Sequence, residues 1–383
     1  MKAIFLKPLD TFFFKDHRGL TAGEDTAAAG LFPPRSGTIY GALRSAYIHK
    51  HSDFDTFKMG TDTVLKEWMG TPNNVGNFSF RGMFVHNGDE LLLPLPLDYQ
   101  VIVHEGDTQE LAYSLLLQES SEQKQWSSDK LDWKLYGKYK KKSRSATNAY
   151  VPLSVWKKAL IQFKDGFKIQ RPGEWMAYEP KTGISIDRMT RTAREKMLYQ
   201  VEMQRFQQPK YSLCVLCDQS PDFSDISLAT CGHGNKIWQV SEDKEFSSIL
   251  TDEEKELIVE EINKTGIARI ILLTPAIWGL GSRPKMLRNN KLIFDAAQTG
   301  CSYSFDVEVL TSVVGRPQII GGWDMAKVRP KPRMYAVPAG TVLYVRVQPS
   351  ITEKLVFCLD KFALTDKLPH EGYGYAVCGY YRV

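Results

Sequence analysis

The sequence predicts an α+β protein in which one antiparallel unit is built twice. Three observations predict it. The apolar run "AIFLKPLDTFF" at the start, closed by Pro8, returns near residue 270 as "RIILLTPAIWG", with Pro275 in the matching place. Further on, "CGHGNKIWQV" and "EGYGYAVCGYY" each set a Gly-x-Gly, Gly232–Gly234 and Gly372–Gly374, before an apolar strand-like run. Two echoes in the same order suggest internal duplication. Within each half a strand, a helix and then strands follow one another, which favours α+β units with antiparallel sheets. The compact solution is a pair of ferredoxin-like (RRM-like) domains in tandem, residues 1–245 and 246–383. The first carries long insertions, placed in residues 100–200, because Pro8 to Gly232 spans far more chain than Pro275 to Gly372.

Residues 2–8 read as a strand rich in Ile, Phe and Leu. Residues 37–49 read as a helix, with Ile39, Ala42, Leu43, Ala46 and Tyr47 spaced as one apolar stripe. The stretch 77–103 has strand-like runs, a turn at Asn87-Gly88, and Pro94 and Pro96, which suit an edge or irregular stretch. "YSLCVLCD" is another strand. "TDEEKELIVEEINKTG" is a helix, with acidic residues in its first turn, Lys264 near its end and Gly266 as its stop. It reads as the connector between the halves. "TVLYVRVQ" and "YAVCGYYRV" are late strands.

The chain has 383 residues, 43% hydrophobic and 24% charged, enough for a sizeable core without staples. A net charge of +5, from 49 basic and 44 acidic residues, does not announce a nucleic-acid binder; only local clustering can. The N-terminal apolar stretch is too short for a signal peptide, and no run approaches a membrane span. Six scattered cysteines in strand-like contexts read as reduced thiols in a cytoplasm.

Four basic clusters stand out. In "FPPRSGTIYGALRSAYI", Arg35, Gly37 and a Ser36 or Thr38 cap sit at a helix N-terminus, which leaves amides unpaired and carries partial positive charge. With the upstream loop Lys15-Asp16-His17-Arg18-Gly19, this mouth can cradle a phosphate or be a well-capped core helix. Arg188, Arg191 and Arg194 recur at spacing three, on one helix face or along a loop. Lys327, Arg329, Lys331 and Arg333 recur at spacing two, which in an extended segment lines four cations along one side. Pro330 and Pro332 keep that segment extended and out of a central strand. "KLYGKYKKKSR", residues 134–144, mixes basic and aromatic residues, the composition of a single-strand binder and also of a mobile surface loop.

Catalytic and metal chemistry finds little support. Cys214, Cys217, Cys231 and His233 have the outline of a zinc site, but two cysteines three apart in a strand point to opposite faces. "GYGYAVCG" lacks the third glycine of a dinucleotide fingerprint, and no phosphate-loop lysine or nucleophile elbow is present. No cofactor and no metal are expected. His17 with Arg18 and Tyr40 is a conceivable metal-free ribonuclease set, although a histidine in a basic loop more often binds.

Five blocks in order, "PLDTFFFKDHRG", "LFPPRSGTIYGALRSA", "GISIDRMTRTAREKMLY", "GGWDMAKVRPKPRMYAVPAGTVLYV" and "EGYGYAVCG", resemble one family. It is the third subunit of the Cmr complex, the RNA-targeting type III-B CRISPR effector of antiviral defence, in the RAMP branch that caps the guide RNA's 5′ end. The resemblance implies two ferredoxin-like domains without a catalytic site. It implies a cytoplasmic ribonucleoprotein subunit that holds the 5′ tag of the CRISPR RNA and docks on the large polymerase-like subunit. Neighbouring RAMP backbone subunits would be further partners, target RNA an indirect one, and no membrane is involved.

The RNA-binding residues so expected are His17, Arg18, Arg35, Ser36, Thr38, Tyr40, Arg44, Arg188, Thr190, Arg191, Arg194, Lys327, Arg329, Lys331, Arg333, Gly372, Tyr373 and Gly374. The Gly372–Gly374 loop matches the family's glycine-rich loop. Its first-domain counterpart departs from the family's Gly-Gly-Glu-Gly-Arg pattern as Cys231-Gly232-His233-Gly234-Asn235. Segment 134–144 matches none of the family's blocks. Two rival readings are a RAMP-type metal-independent endoribonuclease that processes guide precursors, and a protein–protein adaptor whose basic patches meet acidic subunits.

Overall fold

A computed structural model describes residues 1–16, 27–28, 30–104, 106–119, 131–162, 165–300 and 303–381. The fold is α+β, with mainly antiparallel sheets and few helices. The chain forms two compact units, each assembled from three segments. Unit 1 is Met1–Asp89, Pro172–Phe246 and Ile319–Met334; unit 2 is Glu90–Arg171, Ser247–Gln318 and Tyr335–Val383. Sequence reading divides the chain at 245/246. The units change at 246/247, and residues 90–171 cluster with unit 2 and residues 319–334 with unit 1.

In unit 1, β1 (Lys2–Pro8) leads through α1 (Ser36–His51) to β2 (Ser79–His86). A long antiparallel hairpin follows, β3 (Met176–Ile186) with β4 (Ala193–Phe206), then β5 (Ser212–Gln219), β6 (Leu228–Cys231) and β7 (Lys236–Asp243). The sheet order is β6-β7-β1-β5-β2. β1 is central because Ala3, Ile4 and Leu6 are wholly buried and the strand pairs on both edges. α1 is two residues longer at its end than its apolar stripe predicts. It buries Ile39, Tyr40, Ala42, Leu43, Tyr47 and Ile48, each large apolar side chain contributing about 1.5–3 kcal/mol.

In unit 2, α2 (Asp252–Thr265) precedes β8 (Ile267–Leu272), β9 (Lys291–Phe294), β10 (Phe305–Val313), β11 (Val342–Arg346), α3 (Pro349–Leu359) and β12 (Ala376–Tyr380). These strands lie in the order β9-β10-β11-β8-β12. α2 begins in a reciprocal capping box between Thr251 and Glu254 and ends at Gly266, whose φ of 69° is left-handed. The first strand of each sheet thus has the last strand on one side and an inner partner on the other: β7-β1-β5-β2 in unit 1, β12-β8-β11-β10 in unit 2.

The cysteine expectation needs correcting. Cys214, Cys217, Cys231 and Cys378 are free and buried, and burial pushes their thiols up, but Cys358 is disulfide-bonded. Position in an apolar context does not reveal which second cysteine a fold brings near. Among the described residues, no helix is long and apolar enough to cross a membrane.

Candidate nucleic-acid interface

The mouth of α1 differs from its sequence reading. Arg35, not Ser36 or Thr38, occupies the N-cap position, with φ −63° and ψ 134°, and its own side chain makes no cap hydrogen bond. Arginine carries no acceptor, so it cannot cap. The Thr38 amide instead bonds back to the Arg35 carbonyl at 2.8 Å. Arg35 and Ser36 are half-buried and Thr38 is exposed.

Deeper along the helix the expected residues do structural work. Tyr40 is buried and its Oη donates to the Phe78 carbonyl at 3.0 Å. Arg44 donates to the Met69 carbonyl, with its guanidinium 5.5 Å and 5.4 Å from the Tyr40 and Phe57 ring centres. His17 and Arg18 lie outside the described residues.

Arg188, Arg191 and Arg194 are not on a helix. They decorate the tip of the β3–β4 hairpin, a ribbon whose longer strand of 14 residues spans ~45 Å. Its base is anchored in the core by Val201 and Met203 against Phe13, and by the Phe12–Gln204 bridge. The outer part carries exposed Ile184, Ile186, Leu198 and, at the tip, Met189, 93% exposed.

Asp187 organises the tip. Its Oδ1 accepts from the Met189 and Thr190 amides at 2.9 Å and 3.1 Å, and its Oδ2 from Arg194 at 3.2 Å. The two backbone bonds, Thr190 first, hold its carboxyl below the usual carboxylate range. Thr190 Oγ1 is 2.8 Å from Thr192 Oγ1. Arg191 adopts φ 56°, a left-handed conformation uncommon for a long side chain. In the sequence Asp187 stands out only as an acid close to the three arginines; the Asp-x-x-Thr between two strand-like runs is the turn signal that marks its role.

The segment 327–333 is not a single extended comb. Trp323–Asp324 pairs with Arg329–Pro330 in a short hairpin, and Lys327 lies in its turn. Asp324 Oδ1 accepts from the Ala326 and Lys327 amides at 3.1 Å and 3.0 Å, and Val328 has φ 50°, so the alternation breaks before Arg329. Lys327, Arg329 and Arg333 are exposed, Lys331 half-buried. Trp323, Met325 and Val328 are exposed beside them.

The two Gly-x-Gly motifs share a conformation. Gly232, Gly234, Gly372 and Gly374 have φ of 82°, 74°, 81° and 83°. Each turn folds back on chain that leaves its unit's first strand: the His233 amide bonds to Phe13 and the Gly374 amide to Pro275, both at 2.8 Å. A Cβ on Gly374 would lie 2.7 Å from Thr365 Cβ. Tyr373 is 2% exposed, so the Gly372–Gly374 loop is interior to unit 2. Among the described residues, no group of three or more His, Cys, Asp or Glu side chains could hold a metal ion.

Arg35, Arg188, Thr190, Arg191, Arg194 and the whole 327–333 segment belong to unit 1, although up to about 300 residues of sequence separate them. Among the described residues the side chains of Arg188, Arg191, Lys327 and Arg329 have no ionic or hydrogen-bonding partner.

Fold and site together define a two-unit α+β protein with matching glycine turns and exposed cations on projecting hairpins of one unit. The chain belongs to the CRISPR-associated protein family Cas_Cmr3, whose model it matches over residues 4–380. That is the family of the third Cmr subunit, which the five sequence blocks resemble.

The chain is also similar to chains in solved structures of a type III-B Cmr-beta complex. One is bound to cognate target RNA and AMPPnP (16% identity, TM-score 0.48, 92% of this chain and 88% of that one). A second is bound to cognate target RNA (16%, 0.47, 89% and 86%), and a third is an apo state (8%, 0.28, 65% and 98%). No curated protein matches the sequence.

Proposed function

We propose that this chain is a non-catalytic RNA-binding scaffold of a cytoplasmic type III-B effector. In this reading it holds the 5′ tag of the CRISPR RNA and docks on the large polymerase-like subunit. It also meets neighbouring RAMP backbone subunits, and target RNA indirectly. Both units are read as ferredoxin-like variants. In support, each has its first strand between the last and an inner partner, β1 between β7 and β5 with β2 outside, and β8 between β12 and β11 with β10 outside. Unit 1 keeps the helix after its first strand (α1), and unit 2 keeps the helix before its last (α3).

The observation that carries the functional reading is the exposed cations Arg188, Arg191, Lys327 and Arg329, without a side-chain partner among the described residues, on two hairpins of one unit. Unpaired cations on protruding turns repel one another and contribute nothing to the fold, but neutralise a phosphate backbone with release of its counterions. Backbone contacts would set register, and splayed bases in protein pockets would supply tag specificity. The turn at Asp187 and the turn at Asp324 pre-set these cations by capping their own amides.

The test is a guide RNA bearing photoreactive tag nucleotides, crosslinked inside the assembled complex and mapped to residues. Adducts on the 187–194 and 327–333 turns are expected. A protein–protein adaptor gives no adduct. The endoribonuclease reading is tested by incubating the purified chain with repeat RNA in EDTA; specific cleavage lost in His17→Ala would replace the scaffold reading.

A further inference from the structure

The loop from Lys138 to Arg144 in unit 2 is held far more firmly than a basic surface loop requires. At one end Lys138 pairs with Asp165 at 3.0 Å. At the other, Arg144 pairs with Glu110 at 2.5 Å, and its amide donates to the Val101 carbonyl at 2.9 Å. Gln100, 6% exposed, clamps the middle. Its Nε2 donates to the Tyr139 carbonyl at 2.8 Å and to Ser143 Oγ at 2.9 Å, while its Oε1 accepts from the Tyr139 amide at 3.1 Å. The Tyr139 ring packs edge-on against Tyr113 with centroids 4.7 Å apart. Gly137 leaves room for the clamp, since a Cβ there would come within 3.2 Å of Gln100 Oε1.

The anchoring uses the outer cations and leaves the inner three. Lys140, Lys141 and Lys142 are exposed and have no side-chain partner among the described residues. Tyr136 and Tyr139, 44% and 37% exposed, precede them in the chain. A buried glutamine thus fixes the backbone of a loop that concentrates like charge, which repels itself.

We propose that Lys140–Lys142 with Tyr136 and Tyr139 form a second contact for single-stranded RNA, the lysines taking phosphates and the tyrosine rings stacking on bases. The chemistry favours RNA over an acidic protein face. Lysine is depleted at protein interfaces relative to the rest of the surface. Ammonium point charges beside exposed aromatic rings suit a strand with a charged backbone and a π-face on every unit. The site lies in unit 2 and does not rest on the tag-holding role of the unit 1 cations.

The experiment measures binding of a fluorescent oligouridylate to the full chain between 50 and about 400 mM KCl. The variants are Lys140→Gln/Lys141→Gln/Lys142→Gln, the matching triple Arg variant, Tyr136→Leu, and Arg188→Ala/Arg329→Ala, each checked by thermal melting. The triple Gln variant should lower the slope of log K against log salt by about 2, at ~0.7 per phosphate contact, and the triple Arg variant should restore it. Tyr136→Leu should weaken binding about fivefold or more with the slope unchanged.

An unchanged slope in the triple Gln variant overturns the proposal. So does a variant that keeps the wild-type slope yet no longer joins its partner subunits, which would make the loop a protein contact. Loss confined to Arg188→Ala/Arg329→Ala would instead leave the unit 1 reading standing and remove this one. Loss confined to the lysine variant would do the reverse.

Discussion

Arg269 grips Asp98 through two parallel hydrogen bonds, Nε to Oδ2 at 2.8 Å and Nη2 to Oδ1 at 2.9 Å, wholly inside unit 2. Tyr344 Oη donates to the same Oδ2 at 2.7 Å, so three donors surround one buried carboxylate. Both ends of the pair are about 2% exposed or less. Burial alone would push the guanidinium down, but Asp98 beside it raises it further above its ordinary value.

Breaking that pair from one side strands a charge in the core. Arg269→Met should cost about 3–5 kcal/mol in denaturant unfolding of the full chain, while Asp98→Leu/Arg269→Met should recover most of it. A single variant within about 1 kcal/mol of wild type would mean water or another cation replaces the arginine.

The glycine turns differ in what surrounds them. Gly374→Ala meets both a left-handed φ and Thr365 Cβ at 2.7 Å, whereas at Gly234 the φ is left-handed but the space is open. Gly234→Ala should cost about 1–2 kcal/mol from backbone strain alone, and Gly374→Ala clearly more. Equal melting temperatures for the two variants would contradict this.

The projecting hairpins should govern RNA affinity. Replacing Arg188, Arg191 and Arg329 one at a time by Ala should weaken tag binding in the reconstituted complex. Each should reduce the salt slope by about 0.7–0.9 per lost phosphate contact. Tyr40→Phe should leave that slope untouched, because the Tyr40 hydroxyl is engaged with the Phe78 carbonyl. A slope indifferent to all three arginines is the failing result.

Glu110 ties Arg144 and Arg171 together at 2.5 Å and 2.7 Å. Burial pushes its carboxyl up, but hydrogen bonds from Arg144 and Arg171 outweigh that and hold it below its ordinary value. A carboxyl depressed in the folded state stabilises it above the unfolded value of about 4.5, and that contribution disappears as pH falls through the lower folded value. Wild-type melting temperature should therefore drop more steeply below about pH 4.5 than that of Glu110→Gln. At pH 7 the variant should also be nicked faster by trypsin in 138–144.

Val328 adopts φ 50°, which strains a β-branched residue, at the turn of the Trp323–Asp324 hairpin. Val328→Asn should raise stability by up to about 1 kcal/mol, because asparagine tolerates this conformation. A lower melting temperature would show that the 72% exposed valine is held by contacts beyond its own turn.

Much of the fold was legible from residue pattern. The strand over 2–8, a helix covering 37–49, the strand of "SLCVLC", the helix stopped at Gly266 and the repeated Gly-x-Gly are all present, because each depends on local periodicity or turn chemistry, while the cap of the first helix is not the one expected. What periodicity could not decide was which segment packs with which unit. Residues 90–171 and 319–334 cross over to the unit opposite their half of the chain, since burial of apolar surface has no memory of sequence order.

The same holds for the site. The arginines at spacing three and the cations at spacing two were visible as composition. Their placement on a hairpin tip around Asp187 and on a turn closed by Asp324 was not. Side-chain-to-amide hydrogen bonds from Asp187 and Asp324 and left-handed residues at Arg191 and Val328 decide that geometry, and composition alone does not reveal them.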